Sequence, residues 1–507
     1  MERGPATERD VTWREAALLL GLTAAAGAMR FVVGVQGGDL WLDEAWTVLT
    51  ARDAAATGQG VLAEPYRVDN NHPLMTWLVV QLGPYRPGWV YRAAVWAATA
   101  TLPLLAYAAC RGLGRVAAWA GAAYAATAFA VTVYGTEVRG YGFAVAAAVA
   151  GLALVAGGTS ESRGRTPPWR VGVYWAVALM GLLGHLTYVH ALAGLMAVTS
   201  VERWRETTSW AATARGVVVW HGVPAAMAVL LYAAFFRDVK VAGGPAGDVV
   251  AAMAGAASLS WNGPWAGAAA WGVGVGAAAG TLWLAWRCRA WPGVWPGVWA
   301  GVVAWLAAAA TVAVKSAVHG QAEVVFPRYF LVAAVPSALC ATATAWQWAA
   351  GGTWSGGKTC WRVAVVGALA TVVLAASVVQ HLRFVSEGGR GQYRAALAMV
   401  AASGEPTLGS DYDSRTMRLE NHYRPDLPGR VRYIRAGDWP AAGETDGVGD
   451  GGTVSGAPAW YLLNSSTTVR EPVPQRLEVN GTAYVYVRTF GQYGPSGWRW
   501  YLYRRDG

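Results

Sequence analysis

About eleven apolar runs follow one another through the first three quarters of this chain, and every second gap between them is basic. A hydrocarbon core of roughly 30 Å needs about 20 helical residues to cross it. The runs fall near 16–36, 89–108, 116–133, 139–157, 171–184, 186–201, 216–236, 262–286, 297–314, 329–349 and 362–381. They predict a mainly α, polytopic membrane helix bundle of about eleven transmembrane helices. Lys and Arg in short loops mark the cytoplasmic side. Arg3, Arg9 and Arg14 precede the first run; basic residues recur at Arg111 and Arg115, Arg163, Arg165 and Arg170, Arg203, Arg205 and Arg215, Arg287 and Arg289, and Lys358 and Arg362. That register places the N-terminus in the cytoplasm and everything after about residue 382 outside. It requires VGVYWAVALMGLLGHLTYVHALAGLMAVTS to be two short helices turning near Gly184 and His185, because one long helix would put every later basic loop on the wrong side.

Composition excludes several classes. Of the 507 residues, 55% are hydrophobic and 14% charged, and the mean hydropathy of +0.29 is far from that of a soluble enzyme. The first run exceeds the apolar core of a signal peptide and further runs follow it, so it reads as a retained span. The net charge of +10 does not indicate nucleic acid, because the arginines lie in loops rather than on a basic, aromatic-interleaved helix. Cys110, Cys288, Cys340 and Cys360 fall in spans or on the cytoplasmic side without metal-type spacing, which leaves the tail without a disulfide. No internal repeat, P-loop, Rossmann glycine pattern or HExxH motif is present.

Two external parts stand out. The first external loop, 37–88, is too long for a tight turn. Its segments EAWTVLTARDAAAT and NHPLMTWLVVQLG read as short amphipathic helices on the membrane surface, with Trp46 and Trp77 at the interface. The chain therefore divides into a membrane domain, 1–381, and an extracytoplasmic α/β domain, 382–507. In the latter, GQYRAALAMVAAS predicts a helix, RLEV and TAYVYVRTF around Asn480-Gly481 predict a hairpin with a type I′ turn, and WRWYLYRR alternates like a further strand. Residues 440–458 read as a flexible loop.

Polar residues of the membrane part gather on the external side. Asp39, Asp43 and Glu44 stand in GGDLWLDEAWT, with Asn70, Asn71 and His72 later in the same loop. Glu137, Arg139 and Tyr141 occupy the short second loop, and His185 and His190 lie at the third. Arg237, Asp238 and Lys240 follow the seventh run; Lys315, His319, Glu323, Arg328 and Tyr329 precede the tenth. A charge near the bilayer centre costs about 2.5–3.5 kcal/mol even on the lenient insertion scale, so clustering at one edge suits a reactive cavity there. A carboxylate can take a proton from an attacking hydroxyl or amine, or hold a divalent cation, while Arg or Lys neutralises a departing phosphate. Each residue also has a plain structural reading. Asp43-Glu44 fits a helix N-terminus with an acidic first turn, and Glu137 with Arg139 a loop-closing ion pair. His185 and His190 fit helix-end hydrogen bonding, Arg328 an interfacial anchor, and His72 before Pro73 a turn.

Taken in order, LWLDEAWT, NNHPLMTWL, YGTEVRGYGFA, GHLTYVH and FPRYFLVAAVP resemble the lipid-linked-sugar glycosyltransferases of the GT-C superfamily, bacterial glycosyltransferase family 39-type membrane proteins related to protein O-mannosyltransferases and the aminoarabinose transferase of lipid A. The resemblance covers roughly residues 16–345. It implies a polyprenyl-phosphate sugar donor, transfer of a hexosyl or pentosyl group to a cell-envelope acceptor (glycan, lipid or protein) on the outer face, and no nucleotide cofactor. Asp43 is then the catalytic base or acceptor-orienting carboxylate, Glu44 supports it, and Glu137 takes the place of the second-loop acid, which is often Asp in such enzymes. Arg139 and Arg328 are implied to hold the donor phosphate, and His72, Tyr141, His185 and Tyr329 to line the cavity. Some relatives use a divalent cation and others do not, so the metal stays open. A transporter or flippase of a lipid-linked substrate is the alternative; such folds commonly carry repeats and midplane sites. The tail either binds acceptor through its aromatic strands or caps the site.

Overall fold

The computed structural model describes residues 11–63, 71–156, 167–237, 248–287, 294–319, 326–350, 358–435, 439, 456–466, 472–494 and 498–506. Arg3, Arg9, Asn70, Arg163, Arg165, Asp238, Lys240, Cys288, Arg289, Glu323 and most of the 440–458 loop lie outside them, as do the side chains of Lys315, His319 and Lys358.

Each of the eleven apolar runs is helical. The helices are Trp13–Arg30, Gly88–Ala100 with Leu102–Cys110, Arg115–Thr127 with Phe129–Tyr134, Tyr141–Ala156, Pro168–Gly184, Tyr188–Thr207, Trp210–Leu231, Gly267–Arg287, Val294–His319, Leu331–Ala350 and Lys358–Ser386. Among the described residues six are long and apolar enough to cross a membrane by length and composition: 13–35, 88–113, 210–236, 267–287, 327–350 and 360–386. Of the remainder, Tyr141–Ala156 and Pro168–Gly184 are shorter, and Arg115–Thr127 is separated by a break from Phe129–Tyr134. The stretch 171–201 does break into two helices: His185 is extended (φ −159°, ψ 135°) and its N–H caps the first helix by bonding Gly181 O. A second break falls at Ala128, where the exposed N–H of Phe129 is taken by Asn262 Oδ1 at 2.7 Å. One helix had no counterpart among the expected runs. Val249–Ser260, at twelve residues, is too short for a span and lies against the start of the Leu331–Ala350 helix.

Small residues allow this bundle to close. YGFAVAAAVAGLALVA forms the central helix, Tyr141–Ala156, buried over nearly its whole surface, because Ala and Gly let neighbouring backbones approach where lipid offers no hydrophobic driving force. The loop 37–88 supplies the two expected helices, Leu42–Thr57 and Pro73–Leu82.

The tail forms a six-stranded mixed sheet, β1 (Thr407–Ser410), β2 (Arg432–Tyr433), β3 (Trp460–Ser466), β4 (Arg476–Val479), β5 (Thr482–Phe490) and β6 (Trp498–Arg505), in the order β2-β1-β3-β6-β5-β4. β1 runs parallel to β2 and β3, and the other pairs are antiparallel. Asn480 (φ 49°) and Gly481 (φ 76°) make the expected turn between β4 and β5. The helix Tyr393–Ala401 and strand β6 are also as expected. β1 is four residues buried on both faces and carries no alternation to read.

The sheet domain shares a core with the first external loop. Leu40, Trp41, Ala45, Val48 and Tyr91 pack in one cluster with Tyr393, Leu397, Leu408, Leu419 and Trp500. The seam is polar as well. Asp39 N–H donates to Gly391 O (3.0 Å), Arg394 N–H donates to Asp39 Oδ2 (2.7 Å), and Tyr423 hydroxyl donates to Leu40 O (2.8 Å). Gly38 (φ 83°) and Gly389 (φ 59°) make this approach possible, since a Cβ on Gly389 would lie 2.6 Å from Gly37 O.

Candidate active site

The N-terminus of the Leu42–Thr57 helix sets the geometry of the two adjacent acids. Successive helical residues project about 100° apart, so Asp43 and Glu44 face different surroundings. Asp43 Oδ2 lies 3.2 Å from Arg328 Nη2 and 3.5 Å from Arg139 Nη1, with the three side chains 17, 8 and 12% exposed. Glu44 is fully buried. Arg92 Nε and Nη2 donate to its two oxygens at 2.9 and 2.6 Å, Val138 N–H donates at 3.0 Å and Trp41 N–H at 3.3 Å. Burial pushes the Glu44 carboxyl up, but Arg92 and the Val138 N–H outweigh burial and hold it below the ordinary carboxylate range.

Arg92 in turn donates to Gly38 O (2.8 Å) and Asp39 O (2.7 Å), so Glu44 and Arg92 bind the start of the helix to the loop before it and to the second external loop. Asp39 bonds to the tail rather than facing Asp43's arginines; burial pushes its carboxyl up, and the bond from Arg394 N–H opposes this.

The loop that carries Glu137 and Arg139 folds under this helix because Gly140 (φ 76°) lies where a Cβ would meet Gly184 O at 2.0 Å and His72 Cβ at 3.2 Å. That contact brings the predicted aromatic residues together. His185 stacks on Tyr141 with ring centroids 3.9 Å apart and lies parallel to His72 at 6.4 Å. His72 Nε2 bonds Thr47 Oγ1 at 2.8 Å, one helical turn from Asp43. Burial, then Arg139 and His185, push the His72 imidazole well below its ordinary value, so it is neutral.

Tyr329 lies beside Arg328, whose guanidinium carbon is 5.7 Å from the Tyr329 ring, 4.3 Å from Phe326 and 5.0 Å from Trp41. Glu137 is fully buried in the turn between Arg139 and the Phe129–Tyr134 helix, and with Glu44 it supplies negative charge beside Arg390. His190 lies a turn further into the bundle.

Several buried donors lie around Asp43. Arg139 Nε, Arg328 Nε, Trp41 Nε1 and the Tyr141 hydroxyl are buried without a hydrogen-bond partner among the described residues. Buried polar atoms are nearly always paired in proteins, and several donors without acceptors at one place suit a polyanionic group. Beyond Arg328 the same chain segment continues as the Leu331–Ala350 helix. Ala334 and Ser337 on it, with Met253, Trp261, Trp271 and Trp305, line an apolar cavity of about 400 Å³.

No family model matches the chain, and no curated protein matches it. Its structure does have neighbours. Over 96% of this chain and 98% of the other, it aligns with the crystal structure of ArnT from Cupriavidus metallidurans bound to undecaprenyl phosphate, with a TM-score of 0.51 and 16% identity. The chain has a GT-C-type fold. ArnT of the same organism in the apo state aligns over 97% of this chain and 98% of its own, with a TM-score of 0.48 and 15% identity. An oligosaccharyltransferase of Archaeoglobus fulgidus, in complex with Zn and sulfate, aligns over 88% of this chain and 68% of its own, with a TM-score of 0.44 and 12% identity.

Within this GT-C-type fold, a divalent cation does not fit Asp43 or Glu44. Asp43 already faces two guanidiniums, Glu44 is held by a third, and no group of three or more His, Cys, Asp or Glu side chains is placed to ligate a metal among the described residues.

Sequence reasoning missed Arg92, Arg390 and Arg415. Arg92 had a readable signal, a lone Arg inside an apolar run, where an ionisable residue needs a partner. Arg390, fully buried, donates to Thr136 Oγ1 at 2.6 Å and to the carbonyls of Gly34 and Val133, and burial together with Arg92 pushes it down to about 10. It sits in GGRGQ, outside every apolar run, and nothing local marks it as buried.

Proposed function

We propose that this protein is an integral-membrane glycosyltransferase that moves a sugar from a polyprenyl-phosphate donor to a cell-envelope acceptor on the outer face. The observation that carries this reading is the Asp43 carboxylate oxygen shared by Arg139 and Arg328, among buried donors without a partner among the described residues, with an apolar cavity along the helix that follows Arg328. Ala334 lies six residues past Arg328, about 9 Å at the rise of an α-helix, so a lipid phosphate at the arginines leaves its hydrocarbon chain beside apolar walls. The GT-C-type fold, and ArnT having been seen bound to undecaprenyl phosphate, support the same donor class.

The chemistry follows from these positions. Arg139 and Arg328 bond the donor phosphate through charge-assisted hydrogen bonds and stabilise the charge it gains as it leaves. Asp43 accepts the proton of the acceptor hydroxyl or amine as that atom attacks the anomeric carbon. The bond from that carbon to the phosphate oxygen breaks, its electron pair stays with the phosphate, and polyprenyl phosphate departs. Glu44 positions Asp43 by fixing the helix that carries both. Glu137, beside Arg390, supports the loop that presents Arg139. His72, Tyr141, His185 and Tyr329 gather beside these arginines and would face the sugar. In this reading residues 1–381 form the catalytic membrane domain, the N-terminus is cytoplasmic, and the domain 382–507 is extracytoplasmic.

Purified protein in lipid nanodiscs, supplied with labelled polyprenyl-phosphate hexoses and pentoses and an envelope extract, should release polyprenyl phosphate and label one acceptor fraction. Mass spectrometry of envelope glycans and glycoproteins with and without the protein then names sugar and acceptor. Movement of the labelled donor across vesicles with no sugar transferred would sink the transferase and favour the flippase.

A further inference from the structure

The sheet domain places a second cationic group close to the reacting carboxylate. The helix Asp413–Tyr423 packs against the Leu42–Thr57 helix that carries Asp43, and Arg418 stacks 3.0 Å over the Trp46 ring between them. One turn earlier on the tail helix stands Arg415. Its guanidinium carbon is 3.5 Å from the Trp498 ring and 3.9 Å from the Tyr412 ring, so two aromatic faces hold it. Trp498 is itself fixed by Tyr393, whose hydroxyl accepts from Trp498 N–H at 2.8 Å and donates to Trp498 O at 3.0 Å.

This cation is 5% exposed, and no carboxylate among the described residues is bonded to it. Arg415 Nε and Trp498 Nε1 are both buried donors without a hydrogen-bond partner among the described residues. Aromatic stacking holds a guanidinium by its faces and leaves its in-plane N–H groups for a planar or tetrahedral anion. Asp411 and, more weakly, Asp43 act on Arg415, and the helix of Arg415 packs on the helix that carries Asp43. Tyr412 is 39% exposed, so the stack stands near the aqueous side rather than in the bundle. The donor phosphate already has Arg139 and Arg328, and the apolar cavity leads away from them along the Leu331–Ala350 helix.

We propose that Arg415, held between Tyr412 and Trp498 and assisted by Trp498 Nε1–H, binds a phosphate or carboxylate of the acceptor, so that the acceptor is an anionic molecule entering between the sheet domain and the first external loop. The proposal rests on the transferase reading for the word acceptor. It assigns the tail a binding role rather than that of a cap.

The test uses the full chain in nanodiscs, with and without saturating undecaprenyl phosphate to occupy the donor arginines. Inorganic phosphate is titrated at constant ionic strength while thermal unfolding is followed. With undecaprenyl phosphate bound, wild type should show a further saturable rise in Tm. Arg415→Gln should weaken that phosphate response about tenfold or more, as loss of a charge-assisted bond implies, and leave undecaprenyl phosphate binding unchanged. Arg415→Lys should retain a weaker response, and Trp498→Phe, which keeps an aromatic face but loses the N–H together with the five-membered ring, should reduce it. A merely structural role for Arg415 would lower Tm equally with and without phosphate. The proposal is overturned by an undiminished phosphate response in Arg415→Gln, or by no response in wild type while undecaprenyl phosphate binds. Failure of wild type to bind undecaprenyl phosphate would instead overturn the donor reading, and the acceptor assignment with it.

Discussion

Arg92 holds both carboxylate oxygens of Glu44, at 2.9 and 2.6 Å, in a pair closed to solvent, while the neighbouring Asp43 shares a single oxygen between Arg139 and Arg328. Two acids adjacent in sequence are thereby divided between holding the site together and facing its contents. The division predicts different failures when each is changed.

Glu44→Gln removes one partner of a fully buried ion pair and leaves the Arg92 charge uncompensated. Breaking such a pair costs about 3–5 kcal/mol, and the four donors converging on Glu44 put this change at the upper end of what one substitution does. The expected outcome is a markedly lower Tm in detergent and loss of the contact between Val138 and the first helix of the loop. A Tm within a degree of wild type would show that the pair does not fix the helix.

Asp43→Asn should do the reverse. The amide keeps size and a hydrogen-bonding oxygen, and Asp43 is the more open acid, so folding should survive. Sugar transfer should fall by roughly 10²–10⁴, the range for loss of a positioned base. Steady-state transfer by the folded variant, checked by Tm and gel filtration, decides it; unimpaired turnover would remove Asp43 from the mechanism.

Stability should fall on acidification in two stages. His72 is held neutral in the fold, whereas the unfolded imidazole takes a proton below its ordinary value of 6.5. The unfolded state then binds more protons, so stability is complete above pH 6.5 and declines as pH falls below it. Glu44 has a lowered native value against an ordinary 4.5, so its contribution is present above pH 4.5 and is lost as pH falls on through that native value. His72→Gln should make the Tm profile shallower between about pH 6.5 and 5 and leave the steeper loss at lower pH. A profile in that variant parallel to wild type would assign the slope to other groups, such as His422, which burial and Arg52 push down to about 3.

The bundle was legible because bilayer thickness imposes its length on the sequence and loop charge imposes alternation. Even the break at His185 followed from charge register alone. The convergence of Asp43, Arg139 and Arg328 was legible only as sidedness. Their sharing of one oxygen depends on Gly140 fitting against Gly184, a contact between residues with no local signal. The seam between Gly37-Gly38 and Gly388-Gly389 was hidden for the same reason, and so was Arg415, whose setting is made by strands and helices far apart in the chain. The helix Val249–Ser260 was missed because twelve apolar residues satisfy neither the span rule nor a surface pattern.

Chelation should leave transfer unchanged. Asp43 and Glu44 are engaged by guanidiniums, and a divalent cation at Asp43 would have to displace Arg139 and Arg328. Activity after EDTA treatment and desalting, with and without added Mg²⁺, Mn²⁺ or Zn²⁺, should agree within error. Restoration of a lost activity by one of these ions would show that the arginines yield the carboxylate to metal.

Arg328 and Arg139 should separate donor binding from acceptor handling. Each charge-assisted bond to phosphate is worth about 1.5–3 kcal/mol, or roughly 10- to 150-fold in affinity. Arg328→Met keeps an apolar stem against Trp41 and Phe326 while deleting the charge and the 3.2 Å contact to Asp43. Its expected effect is a 10-fold or greater rise in the donor KM and a lower kcat, because the leaving phosphate is less well stabilised. Arg328→Lys should recover part of the KM but little of the kcat, since an ammonium cannot reach Asp43 and phosphate as a fork does. Arg139, one loop away and 12% exposed, should show the same pattern with a smaller amplitude. If Arg328→Met left the donor KM unchanged while lowering only acceptor affinity, the phosphate would have to bind elsewhere, and the cavity beside Ala334 and Ser337 would no longer mark the path of the lipid chain.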